Sequence, residues 1–170
     1  MFSVKACALP GNALLQDYRR SGAYTDCYAT DVAASVSHAL FVEAFYTTFL
    51  FRLERLILKW MMSRPSSDFQ AHQLAIGDTD SFAAWRVEGR ANNQLLLSDY
   101  RGRTRSWLMV DESTTGTRLF FGSAVVPVAG DGDPKLGVIY RVLMGFHKMY
   151  SVALLSLARS RVTRKLQTIA

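Results

Sequence analysis

Residues 22–31 are rich in Tyr and Thr between small and polar residues, a strand composition. Asp31 is placed to cap a helix after it. Residues 32–62 form the most apolar part of the chain. The stretch VAASVSHALFVEAFYTTFLF has only His38 and Glu43 as ionisable groups. Its length would fit a bilayer. Against a membrane span stand Glu43, which is costly at mid-bilayer, and the polarity of Ser35, Ser37, Thr47 and Thr48. Arg52, Glu54, Arg55 and Lys59 follow at once. The pattern predicts two buried helices, over 33–46 and 49–62, that need a sheet, a partner helix or a ligand against them.

The loop SRPSSD at 63–68 is followed by five strand-like runs: 69–77, 81–90, 94–100, 104–112 and 117–126. Short turn-forming segments separate them, the signature of an antiparallel meander. In the second run Ala83, Trp85 and Val87 share one face, while Arg86, Glu88 and Arg90 share the other. In the fourth run Trp107 and Met109 share a face with Arg105, a less clean alternation. Asp133 and Pro134 read as a helix start. From there to about residue 161, apolar side chains recur at spacings of three and four, from Leu136 through Leu143, Phe146, His147 and Tyr150 to Leu157. That stripe predicts a long amphipathic helix.

The expected order is a strand, two short helices, an antiparallel meander and a long C-terminal helix covering the meander's apolar face, an α+β arrangement. Over about residues 22–162 this order resembles the helix-grip fold of the START-like superfamily, which includes Bet v 1-type (SRPBCC) proteins and polyketide cyclases. The segments EAFYTTFLFRLERLIL (Glu43 to Leu58) and GFHKMYSVALL (Gly145 to Leu155) are similar to those of an uncharacterised bacterial group within it. The resemblance implies a curved sheet wrapped round the helix, with an apolar ligand chamber between them. The six strand-like runs are one fewer than that superfamily usually has. On this reading residues 1–21 are an N-terminal extension, 22–162 the helix-grip domain and 163–170 a basic tail.

The net charge of +6 and a pI near 9.6 invite a nucleic-acid reading. Its location removes that reading. All 14 acidic residues precede position 141, and the last thirty residues hold Arg141, Lys148, Arg159, Arg161, Arg164 and Lys165 alone. The excess is matched to the end of the final helix or to weak docking on an anionic membrane. The run Arg101, Arg103, Arg105 is flanked by Asp99, Asp111 and Glu112 and reads as a solvated hairpin. Lys5, Pro10 and Gly11 interrupt what would be a signal peptide, so a cytoplasmic location is expected, with Cys7 and Cys27 as reduced thiols.

His147 is the candidate for chemistry, because it falls inside the apolar stripe of the last helix, where an imidazole could polarise a carbonyl or move a proton. Trp85, Trp107, Phe146, Tyr150 and Arg52 are the candidate ligand contacts beside it. Ion pairing of Glu43 with Arg52 or Arg55 is expected. His38 reads as a cap or a cavity-mouth residue, and His72 as a surface residue. Gly130-Asp131-Gly132-Asp133 lacks the rest of a calcium loop, and no nucleophile elbow, phosphate loop or zinc motif occurs. No cofactor and no metal is expected. Three roles remain open: binding an apolar or aromatic small molecule, an enzyme of cyclase, dehydratase or hydrolase type using His147 with Tyr150 or Arg52 steering an oxyanion, and peripheral docking through the basic end. The oligomeric state is left open.

Overall fold

Strand alternation builds one seven-stranded antiparallel sheet in the computed structural model, which describes the backbone of residues 3–53, 66–126 and 134–169 and the side chains of these except 134–146 and 169. The elements in chain order are β1 (Lys5–Ala6), α1 (Gln16–Arg20), β2 (Tyr24–Val32), α2 (His38–Tyr46), α3 (Asp68–Ile76), β3 (Ser81–Phe82), β4 (Trp85–Ala91), β5 (Gln94–Asp99), β6 (Thr104–Ser113), β7 (Gly116–Val125) and α4 (Pro134–Ile169). The sheet order is β1-β2-β7-β6-β5-β4-β3, so the meander folds back and β2 adds to its last strand. Residues 49–53 are helical, while the rest of the helix expected over 49–62 lies outside the described residues, as does the cap expected at Asp133. The expected α+β class holds: an antiparallel curved sheet, a long C-terminal helix and short helices after the first long strand. Among the described residues no helix is long and apolar enough to cross a membrane.

Three expectations are corrected. The run at 69–77 is the helix α3. Ser67 and Gln70 form a reciprocal capping box, and Gly77 ends the helix in the left-handed region at φ 88°. Its buried residues, Ala71, Leu74 and Ala75, have helical spacing, whereas Phe69 and Ile76 are exposed. Asp31 does not cap a helix. It lies within β2 and pairs with Arg118 at 2.8 Å, and Ser37 caps α2 by accepting from the Leu40 amide. The strand count is seven, because β1 forms in the N-terminal segment and the run at 81–90 divides at Ala83, whose φ is 53°.

Both faces of the sheet are buried. On the inner face Tyr28, Leu95, Leu97, Leu108, Leu119 and Phe121 meet α2, α3 and α4, whose Leu154, Leu155, Ala158 and Val162 are buried. On the outer face Cys27, Leu96, Trp107, Met109 and Phe120 are covered by Leu9, Ala13 and Leu15 from the N-terminal segment. Gly122 makes that cover possible: a Cβ there would stand 2.9 Å from the Asp26 carbonyl oxygen and 3.0 Å from the Trp107 ring. The Leu14 amide donates to Gln94 Oε1, and Gln94 Nε2 donates to the Asn12 carbonyl, tying the segment to β5. The helix α4 runs through the basic residues to Ile169; Lys165 pairs with Glu43, and Arg159 donates to the Asp31 carbonyl at 2.9 Å.

Leu15→Ala should therefore cost about 2–4 kcal/mol in urea unfolding, as an interior leucine does, whereas an unattached tail would give no change. His38 supplies a second check. Burial at the start of α2 pushes its imidazole down to about 4 from 6.5, against a hydrogen bond to the Leu108 backbone that favours the charged form. The unfolded chain takes up a proton near pH 6.5 that the folded chain refuses until about pH 4. The stabilising contribution is complete above that window and lost as pH falls through it. Across it, the wild type should lose on the order of 3 kcal/mol more than His38→Gln in urea titrations at stepped pH.

Candidate functional site

Inner-face alternation brings three polar side chains together near one end of the sheet. Asp26 on β2 stands opposite Ser123 on β7, and Ser123 stands opposite Ser106 on β6. His147 reaches down from α4. Ser123 Oγ donates to Asp26 Oδ1 at 2.6 Å and lies 2.7 Å from His147 Nε2, and the Ser123 amide also donates to Oδ1 at 3.1 Å. His147 Nε2 is 3.5 Å from Asp26 Oδ2. The Asp26 side chain is only 9% exposed. Burial pushes its carboxyl up, but His147 beside it and the bonds from Ser123 outweigh burial and hold it below the ordinary 3.8. Asp26 is thus a carboxylate at neutral pH. The neighbouring Tyr28 hydroxyl is pushed up to about 12, first by burial and then by the charge of Asp26.

A cavity of about 390 Å³ opens beside this group, between the sheet and α4. Phe45 and Phe51 from the helical region after β2, Trp85 from β4, Ser106 from β6, Phe121 and Ser123 from β7, and His147, Tyr150 and Leu154 from α4 line it. The three helix residues are spaced by three and four, which puts them on one face. The Phe45 and Phe121 rings pack 4.8 Å apart, and Phe51 stacks on Phe82 at 6.1 Å. At the same wall Tyr46 Oη and Ser106 Oγ bond each other at 3.0 Å, both buried.

Of the residues expected here from sequence, Trp85, His147 and Tyr150 border the cavity. Trp107 does not. It has the opposite parity on β6 from Ser106 and Leu108, so it lies on the outer face, where its indole donates to Gln94 Oε1 at 2.9 Å. The same parity accounts for Arg105. Its guanidinium sits on the outer face over the Tyr18 ring and pairs with Glu88 at 2.7 Å. Arg52 is also away from the cavity: it is half-exposed and paired with Asp68 at the start of α3. Glu43 accepts instead from Lys165 and pairs with His72 at 2.9 Å. The Phe146 side chain lies outside the described residues.

Asp26, Ser123, Phe45, Phe51 and Phe121 are not among the candidates expected from sequence. Asp26 carries a signal, since it shares strand parity with Tyr24 and Tyr28. Ser123 carries none until the register places it opposite Asp26. Among the described residues no cluster of His, Cys, Asp and Glu could hold a metal ion.

No protein-family model matches the chain, and no curated protein matches it. Among solved structures, it is similar to CalU16 from Micromonospora echinospora, in a crystal structure at 14% identity, covering 96% of this chain and 94% of that one, with a TM-score of 0.33. It is also similar to a conserved protein of unknown function from Enterococcus faecalis, at 12% identity, covering 86% and 87%, with a TM-score of 0.35. Likenesses at this level carry no argument about function, which rests on the geometry of the cavity.

Proposed function

We propose that the protein binds an apolar or aromatic small molecule in the cavity between the sheet and α4. The supporting observation is the cavity itself: about 390 Å³, with Phe45, Phe51, Trp85, Phe121 and Tyr150 in its wall and the His147–Ser123–Asp26 group beside it. Pockets of this size and lining take ring compounds or short acyl chains, with a few polar groups setting orientation. Phe45, Phe121 and Trp85 supply flat surfaces, and burying an apolar ligand against them supplies the driving force.

The arrangement at His147 favours a second reading, an enzyme on the same scaffold. In a nucleophilic triad the imidazole stands between hydroxyl and carboxylate. Here the hydroxyl stands between them, with its proton committed to Asp26. That order suits an imidazole that takes up a proton, stabilised through Ser123 by the carboxylate, and so cyclase or dehydratase chemistry rather than acyl transfer. Arg52, paired elsewhere, has no part in it.

N-phenylnaphthylamine, a neutral fluorescent ring compound, should bind saturably at one site per chain. Filling the cavity with Val125→Trp should weaken that binding at least about tenfold, equivalent to about 1.4 kcal/mol, while thermal unfolding shows the fold intact. Unsaturable fluorescence, together with no small molecule retained in native mass spectra, would sink the binding reading. Turnover of a candidate substrate that is lost in His147→Gln, with probe binding kept, would select the enzyme.

A further inference from the structure

The hydrogen-bond directions around His147 specify one feature of the occupant, granted that the cavity is a binding site. Asp26 has no proton to give, so Ser123 Oγ–H is the donor to Oδ1. A hydroxyl has one hydrogen, and with that committed Ser123 can only accept from His147. In the neutral ring Nε2 therefore carries the hydrogen, and Nδ1 keeps a lone pair. Among the described residues no group bonds to Nδ1, and the His147 side chain is 31% exposed at the cavity edge.

We propose that the occupant is an apolar ring compound bearing a neutral hydroxyl of phenol or enol type, and that this hydroxyl donates its hydrogen to Nδ1 of His147. The surrounding charges favour a neutral group over a carboxylate. Asp26 already places one buried negative charge beside the imidazole. The lining cation Arg105 is turned to the outer face and held by Glu88 and Tyr18. A ligand carboxylate would bring a second negative charge into an apolar space with only the imidazole to answer it. Of the other polar groups in the wall, Ser106 is already bonded to Tyr46. Asp26 and Ser123 are positioning residues, which fix the nitrogen that His147 presents.

The test compares 2-naphthol with 2-methylnaphthalene, equal in size but different in the hydroxyl, by titration calorimetry on the full chain. Wild type should bind the naphthol about tenfold more tightly, the worth of one hydrogen bond to an otherwise unpaired group. The Nδ1 resonance in nitrogen NMR should move on adding the naphthol and stay in place with the hydrocarbon. His147→Phe should abolish the preference and keep the hydrocarbon affinity. Ser123→Ala, the milder change, should shrink the preference and alter the tautomer balance read from the two ring nitrogens. Equal affinity of wild type for both compounds overturns the hydroxyl assignment and leaves the cavity reading in place. Tighter binding of 2-naphthoate than of 2-naphthol overturns it in favour of an anion. Binding of neither neutral compound overturns the cavity reading, and this inference with it.

Discussion

The architecture depends on a sheet that is apolar on both faces. In β5, Leu95 and Leu97 point into the helix-covered core while Leu96 points the other way, and all three are buried. A strand of this kind cannot leave one side to water. Helices cover the inner side, and the segment around Leu9 to Leu15 covers the outer one. The outer cover is thin, a few side chains over Trp107 and Phe120, and it closes because Gly122 offers no side chain where Trp107 and Leu15 converge. The aromatic-lined cavity opens on the inner side, between the sheet and α4.

The elements legible in the sequence were those with long, regular periods. The meander strands from β4 to β7 and the last helix fall close to where alternation and the three-to-four spacing put them. What failed was short or two-sided. Nine residues of α3 hold too few turns for a helical stripe to show, and Phe69 and Ile76 raise the apolar count without being buried. Trp107 was assigned to the wrong face because an apolar residue marks the core side only when the other side is wet, and here neither is. β1 has two residues and no pattern of its own; its pairing with β2 defines it. At the site, His147, Trp85 and Tyr150 were visible as chemically distinct residues at regular positions. Ser123 was not, since its role comes from being opposite Asp26 across two strands that lie far apart in sequence.

The electrostatics of the site follow from that cross-strand pairing. A carboxylate on the inner face would ordinarily be driven toward its neutral form by burial. Asp26 stays ionised against burial because His147 lies beside it and Ser123 donates to it twice, through hydroxyl and amide. The sheet thus holds a fixed negative charge under α4, and the imidazole hanging from the helix is oriented by it. Tyr28, two residues along β2, is pushed up to about 12 by burial first and by the Asp26 charge second. Binding and catalytic readings share this charge and differ only in whether a proton moves.

The two cysteines lie across the seam between the first layer and the sheet. Cys7 follows β1, donates its amide to the Cys27 carbonyl at 2.9 Å, and its sulfur is 3.4 Å from that of Cys27. Burial pushes the Cys27 thiol far up, so while the seam is shut it is protonated and sluggish toward electrophiles. Lifting the first dozen residues would uncover it. The rate at which Cys27 is alkylated therefore works as a clock for local opening of the outer layer, separate from global unfolding.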